Sequence, residues 1–161
     1  MTKLQKAVIF DIDGVLAIKS PDRGYRDYEK VGLDRPSEEL VRLLFHYLQR
    51  GDTHILFVTG RKELCRGQTF DWITKHLEAV TGYNRLICGE LYMRSDKDHR
   101  KGTVLKAEIY ETKIKDRYDV MAVFEDDPDI CDMYKSKGLT VLEVRGDRGD
   151  VVDIYPIQSK L

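Results

Sequence analysis

Short apolar segments alternate with segments of helical periodicity along the chain. The apolar segments are typical of buried strands and cover residues 7–10, 54–58, 86–88, 120–124 and 141–144. Strands that are separated by helices pair in parallel through right-handed crossovers. The pattern therefore predicts an α/β fold built on a single doubly wound parallel sheet, and the absence of any repeat or linker predicts one domain over residues 1–161.

The helical segments have apolar positions three and four residues apart. In the first, over residues 37–49, these positions are Leu40, Leu43, Leu44, Tyr47 and Leu48. Gly51 and Gly82 are the predicted ends of the first and second helices, and Pro128 is the predicted start of the fourth. The third helix is predicted over about residues 103–115.

Two segments lack this order. Residues 17–36 are polar and without stable periodicity, which favours a long loop or small cap inserted after the first strand, over a functional site. Residues 146–161 are predicted to form a surface tail.

Composition and charge narrow the class of protein. The 161 residues carry 27 Lys+Arg and 28 Asp+Glu, so the net charge of −1 excludes a strongly basic nucleic-acid binder but permits a local basic patch. Cys65, Cys88 and Cys131 form no Cys-x-x-Cys pair, which excludes a zinc knuckle or redox motif. No apolar run reaches the roughly 18 residues of a membrane span, and no signal peptide is apparent. We expect a soluble, cytoplasmic protein that does not contact a membrane, and no protein partner is inferred.

Polar residues that follow three of the predicted strands are the candidates for chemistry. They are Asp11 with Asp13, Thr59 with Arg61, and Glu125 with Asp126 and Asp127. The carboxyl ends of parallel strands lie at one edge of a sheet, where ligands bind. Carboxylates that converge there repel one another unless a cation separates them, and oxygen ligands suit Mg²⁺. Magnesium is therefore the predicted cofactor.

Four segments in order, VIFDIDGVL, FVTGR, TVLKAEIY and VFEDDPDI, resemble the motifs of the haloacid dehalogenase (HAD) superfamily of phosphotransferases. The resemblance implies that Asp11 is the nucleophile and forms an aspartyl-phosphate. It implies that Asp13 protonates the leaving alcohol and then activates water. Thr59 would bind a phosphoryl oxygen, and Lys106 would neutralise charge on the nucleophile and the phosphate.

The same resemblance implies a Mg²⁺ site and one departure from the superfamily pattern. The implied metal ligands are Asp11, Asp13 through its backbone carbonyl, Asp126 and Asp127. Val15 stands where the superfamily usually has threonine.

A narrower resemblance is to the 3′-phosphatase domain of phage polynucleotide kinase-phosphatases. The segments DRGY, VTGRKE, DHRKGTVLKAEIY and EDDPDICDMYKSKG carry it. It implies that nucleic-acid 3′ ends, DNA or RNA, are the substrate. It also implies a cationic rim for the substrate, formed by Arg23, Arg61, Arg94, Arg100 and Lys101. Gly102 stands where the phage enzymes have an acidic residue. The sequence has no kinase P-loop motif, so we expect a stand-alone phosphatase. Tyr25 and Tyr28 are candidates for stacking on a base.

Two other functions are compatible with parts of the pattern. A small-molecule HAD phosphatase, such as a nucleotidase, would use the same chemistry under a more enclosing cap. A phosphoaspartate receiver domain shares the fold class and residue types. In receivers the acidic pair follows the first strand and the phosphoacceptor follows the third, whereas here the second acidic cluster follows the fourth.

Overall fold

The computed structural model describes residues 3–84, 89–147 and 151–156, and a six-stranded sheet runs through its centre. The strands in chain order are β1 (Gln5–Phe10), β2 (Ala17–Ile18), β3 (Arg35–Pro36), β4 (His54–Lys62), β5 (Gly89–Arg94), β6 (Tyr118–Glu125), β7 (Val141–Asp147) and β8 (Val151–Pro156). The sheet order is β5-β4-β1-β6-β7-β8, with all neighbours parallel except the last pair. This confirms the predicted fold class.

In the described part of the chain, four α-helices cover the two faces of the sheet. They are α1 (Glu38–Arg50), α2 (Arg66–Thr81), α3 (Gly102–Ile109) and α4 (Pro128–Ser136). Successive residues of β1 alternate between the faces: Val8 and Phe10 belong to the core shared with α1 and α2, whereas Ala7 and Ile9 belong to the core that includes α4. Burial on both faces explains why the central strands are apolar runs without polar alternation.

The predicted helix ends are confirmed where glycine was the signal. Gly51 and Gly82 follow α1 and α2 with φ of 70° and 73°, a left-handed conformation that glycine adopts without steric cost. The third helix differs from its predicted range, because after α3 the chain widens into a π-helical turn at Tyr110–Ile114. Ile114 at the end of this turn is 1% exposed and packs in the core.

The segment predicted as a cap is ordered around a small hairpin. β2 and β3 pair antiparallel, and a 3₁₀ helix at Tyr28–Leu33 lies between them. The indole Nε1 of Trp72 on α2 donates to the carbonyl of Asp34 at 2.8 Å, which ties this segment to the body of the domain. The cap is therefore held in one position beside the carboxyl end of β1.

The C-terminal segment differs from the sequence prediction. Val151–Pro156 forms β8, an antiparallel partner of β7, where a surface tail was expected from residue 146. A strand here is consistent with the β-branched residues Val151, Val152 and Ile154. The predicted strand at 86–88 and Cys88 lie outside the described residues, and β5 begins directly after them at Gly89. Within the described ranges, no helix combines the length and the apolar character that crossing a bilayer requires.

Candidate active site

The three central strands bring the predicted polar residues to one edge of the sheet. Phe10 at the end of β1 pairs with Phe57 of β4 on one side and Phe124 of β6 on the other. Asp11, the residue directly after β1, therefore lies beside Glu125, the last residue of β6. The stacked rings of Phe10 and Phe124, 4.6 Å apart, form the apolar layer beneath this edge.

Three carboxylates and one lysine form the centre of the site. One oxygen each of Asp11, Glu125 and Asp126 lies within 4.8 Å of the other two. Lys106 of α3 is 2% exposed, and its Nζ lies 3.0 Å from Oδ1 of Asp11 and 2.7 Å from Oε2 of Glu125. Lys106 thus joins the predicted nucleophile to the strand beside it.

The ionisation of this group shows an excess of negative charge. Burial, together with the charge of Glu125, raises the pKa of Asp11 well above its usual range, although Lys106 opposes the shift. Burial and the charge of Asp11 raise the pKa of Asp126 to about 6. Burial disfavours charged Lys106, but Asp11 and Glu125 outweigh it and raise the pKa of the ammonium group. One lysine does not balance three carboxylates, so the cluster has the donor set and the charge of a divalent-cation site.

Asp13 is not part of this cluster and is held by two arginines. Arg61 binds it in a fork, with Nε 3.0 Å from Oδ2 and Nη2 2.7 Å from Oδ1. Nη2 of Arg23 donates to the same Oδ1 at 3.0 Å. The carboxylate remains 31% exposed, so it is fixed in orientation yet open to the cavity above it.

Asp34, which is not among the residues predicted from the sequence, completes this network. Its side chain is fully buried and accepts hydrogen bonds from Nε and Nη2 of Arg23, both at 2.7 Å, and from Nη2 of Arg61 at 2.9 Å. The backbone N–H of Ser20 donates to it as well, at 2.9 Å. A single aspartate in a polar segment has no distinguishing spacing, so no sequence signal pointed to it.

Of the two acidic residues after β6, Asp126 lies in the carboxylate cluster, whereas Asp127 caps the helix that follows. Oδ1 of Asp127 accepts the backbone N–H groups of Asp129 and Ile130 at 2.9 and 3.2 Å, and so caps α4. The structure does not bring the Asp127 carboxylate into the cluster with Asp11. Glu125 occupies that place, because the strand pairing of Phe10 with Phe124 brings Glu125 beside Asp11.

The five cations predicted to bind substrate fall into two groups. Arg23 and Arg61 are buried and engaged with Asp13 and Asp34. Arg94 donates to the carbonyl oxygens of Gly60 and Arg100. Arg100 forms ion pairs with Asp98 and Glu108, and Lys101 is exposed at the start of α3. The structure therefore places Arg94 and Arg100 at the site but already paired within the protein.

A cavity of about 810 Å³ adjoins the carboxylate cluster. Its lining includes the cluster and its neighbours, Asp11, Asp13, Arg61, Lys106, Glu125 and Asp126, together with Tyr25, Arg26, Tyr28, Leu64, Arg94 and Arg100. Thr59 is fully buried beside Gly60, and its Oγ1 accepts the N–H of Arg61 at 3.2 Å. Gly102 also lines the cavity, and a Cβ atom there would lie 3.0 Å from Cδ1 of Ile130.

Comparison with known families fits this geometry. The family model of the polynucleotide kinase PNKP phosphatase domain matches residues 5–150, which covers nearly the whole chain. The chain belongs to this family of HAD-type phosphatase domains. The resemblance predicted from the sequence motifs is confirmed. The matched range includes every residue of the site described above.

Individual relatives agree with this assignment. The chain is 28% identical over 134 residues to a protein of Autographa californica nuclear polyhedrosis virus named "Putative bifunctional polynucleotide kinase/RNA ligase". The match covers 83% of this chain and 18% of the viral protein.

Two solved structures have similar folds, each with a TM-score of 0.73. One, described as the Pnkp1/Rnl/Hen1 RNA repair complex, is 24% identical and matches 88% of this chain. The other, described as a Pnkp1/Rnl/Hen1 complex, is 25% identical and matches 89%. The present chain spans 42% and 47% of the lengths of those chains.

Proposed function

We propose that this domain is a Mg²⁺-dependent phosphomonoesterase that removes the 3′-phosphate from polynucleotide ends through an aspartyl-phosphate. The observation that carries the proposal is the position of Asp11, whose carboxylate lies 3.0 Å from Nζ of Lys106 and within 4.8 Å of the acidic pair Glu125 and Asp126. A carboxylate so placed can act as a nucleophile, because the lysine and a cation held by the acidic pair can neutralise the negative charge of the phosphate that it attacks.

The carboxylate oxygens of the cluster are suitable ligands for Mg²⁺. Asp11, Glu125 and Asp126 offer three carboxylate oxygens close together, in a place where burial has raised the pKa of two of these groups. Hard oxygen ligands in this number leave coordination positions for water and phosphate, as Mg²⁺ prefers. When bound, Mg²⁺ would orient the phosphate and reduce its repulsion of the nucleophile.

The protein groups would divide the reaction into two displacements. An Oδ atom of Asp11 attacks phosphorus and the bond from phosphorus to the 3′ oxygen breaks, while Asp13 gives its proton to the leaving oxygen. Water then attacks the aspartyl-phosphate, Asp13 takes a proton from that water, and inorganic phosphate leaves as Asp11 is regenerated. The fork from Arg61 to Asp13 supports the second of these steps, because it holds an ionised carboxylate in one orientation, ready to take a proton.

A polynucleotide is favoured over a small metabolite by the additional cations that line the cavity. Arg26 is exposed on the cap and lines the cavity, and it forms no ion pair among residues 3–84 and 89–147. Arg94 and Arg100 line the same cavity. Such cations suit a substrate with phosphates beyond the one that is cleaved. The viral relative named as a kinase and RNA ligase, and the RNA repair complex, favour RNA as the first substrate to test.

The experiment compares phosphate release from four substrates with one sequence. These are a 3′-phosphorylated oligoribonucleotide, its 5′-phosphorylated isomer, the 3′-phosphorylated oligodeoxyribonucleotide and a free nucleoside 3′-monophosphate. We expect the 3′-phosphorylated strands to have the highest kcat/KM, and Asp11→Asn to abolish release from all four. A preference for the free monophosphate would instead support a small-molecule phosphatase.

A further inference from the structure

Tyr25 is an aromatic side chain that the domain leaves almost bare. It is 81% exposed, the highest value among the large apolar side chains in the described part of the chain. It also lines the cavity above the catalytic carboxylates. A ring left in water gains no burial energy in the folded protein, so folding does not account for an aromatic residue at this position.

The backbone around Tyr25 is held in place. Lys19 donates from Nζ to the carbonyl of Arg23 at 2.9 Å, and Arg23 is itself fixed to Asp34 by two bonds of 2.7 Å. On the other side, the N–H of Gly24 donates to Oδ2 of Asp27 at 2.9 Å, and the N–H of Asp27 donates to the carbonyl of Gly24 at 3.1 Å. Tyr25 is thus carried on a closed turn whose anchor is the same arginine that binds Asp13.

Tyr25 borders the same cavity as Asp11 and Asp13. Partial burial, together with the negative charges of Asp13 and Asp11, raises the pKa of Tyr25. Because most of the residue is exposed to solvent while it lines the cavity, its ring is available to whatever is attached to the phosphate.

Other apolar groups line the cavity together with Tyr25. Leu64 is 61% exposed and lines the cavity, and its N–H is tied to Oδ1 of Asp96 at 2.9 Å. Tyr28, which packs against the small core of Val31, Cys65 and Met93, lines it as well. These side chains add flat and apolar surface to a cavity that also holds cations, and phosphate groups alone have no use for such surface.

We propose that Tyr25 stacks on the nucleobase of the terminal nucleotide and so selects phosphates carried by a nucleoside. The proposal rests on the proposed polynucleotide function and adds a base contact to it. Stacking is indifferent to base identity because every base has an aromatic face. Tyr25 is therefore a specificity-determining residue that recognises the presence of a terminal base rather than its sequence.

The test compares two 3′-phosphorylated oligonucleotides that differ only in the terminal residue, which is a normal nucleotide in one and an abasic residue in the other. KM and kcat are measured for the wild type, Tyr25→Ala, Tyr25→Phe and Leu33→Ala. Leu33 is the matched control, since it is 55% exposed in the same cap but does not line the cavity.

We expect Tyr25→Ala to raise KM for the normal strand by about tenfold, within the range of a base stacked on an aromatic side chain. The same variant should leave KM for the abasic strand unchanged, and Tyr25→Phe and Leu33→Ala should resemble the wild type on both. An equal effect of Tyr25→Ala on both strands, or no effect on either, would overturn the base contact while leaving the phosphatase intact. Failure of the wild type to release phosphate from either strand would instead overturn the proposed function, and the base contact with it.

Discussion

Gly14 lies directly against the carboxylate of Asp126, so close that a methyl group on Gly14 would overlap it. Gly14 has φ of 81°, and its N–H donates to the carbonyl of Ala17 at 2.9 Å in the turn that follows Asp13. The glycine of the DIDG segment therefore serves two purposes. It allows the left-handed turn, and it leaves room for an acidic side chain of the neighbouring strand.

We predict that Gly14→Ala will impair Mg²⁺ binding beyond its effect on stability. An alanine in the left-handed conformation costs about 1–2 kcal/mol, and at this position it must also displace Asp126 from the carboxylate cluster. Gly138→Ala is the control, because Gly138 has the same φ of 81° and nothing within 4 Å of the added Cβ.

Urea unfolding and calorimetric titration with Mg²⁺ separate the two effects. Both variants should lose similar stability, and Gly14→Ala alone should lose Mg²⁺ affinity and phosphatase activity. Equal Mg²⁺ affinity in the two variants would show that Asp126 is not needed in its present position.

The choice between Glu125 and Asp127 as a metal ligand gives a second prediction. Glu125→Gln should weaken Mg²⁺ binding by more than the roughly 10–100-fold that outer-sphere changes cost. Asp127→Asn should leave both binding and stability unchanged, because asparagine caps a helix as well as aspartate does. Calorimetric titration of each variant with Mg²⁺ decides the matter, and a loss of affinity in Asp127→Asn as large as in Glu125→Gln would restore the expectation from the sequence.

Much of the fold and the centre of the site could be predicted, because both follow from local pattern. The run of residues 7–10 and the DIDG segment after it place Asp11 at the end of a buried strand with no further information. Glu125 depends on which residue of β6 pairs with Phe10, and strand register is set by packing across the sheet. Sequence spacing could not supply that register.

The partners of the two buried arginines could not be predicted from the sequence, for a different reason. Arg23 and Arg61 were expected to bind substrate because guanidinium groups suit phosphate, yet in the structure both are bound to Asp13 and Asp34. Carboxylate and phosphate present similar oxygens to an arginine, so the type of residue does not distinguish them. Their partners are 10 to 48 residues away in the chain, and only the folded cap brings them together.

Asp34→Asn tests the buried network, and we predict a loss of both stability and activity. Removing the buried charge leaves Arg23 and Arg61 with less than their full complement of acceptors, and breaking a buried ion pair typically costs about 3–5 kcal/mol. Because Arg61 orients Asp13, kcat should fall more than KM rises.

Asp22→Asn is the control for this prediction, as Asp22 lies in the same cap but is exposed. It should change the free energy of unfolding by no more than about 0.5 kcal/mol, as is usual for surface substitutions. Unfolding and steady-state kinetics are measured on both variants below the unfolding transition. An Asp34→Asn variant that is destabilised but keeps the wild-type kcat would limit Asp34 to a structural role.

The last prediction concerns which cation contacts the substrate backbone. Arg26 lines the cavity and has no ion pair among the described residues, whereas Arg100 is held by Asp98 at 2.7 Å and Glu108 at 2.6 Å. An arginine already neutralised by two carboxylates releases few counterions when a phosphate approaches, so it contributes little to the salt dependence of binding. Arg26→Ala should therefore raise KM for a 3′-phosphorylated oligonucleotide more than Arg100→Ala does, and it should lower the slope of log KM against log salt by about one. Neither variant should change KM for p-nitrophenyl phosphate, which has no second phosphate to hold. The measurement is KM for both substrates at four salt concentrations, and a larger effect of Arg100→Ala would mean that Arg100 leaves its acidic partners when the strand binds.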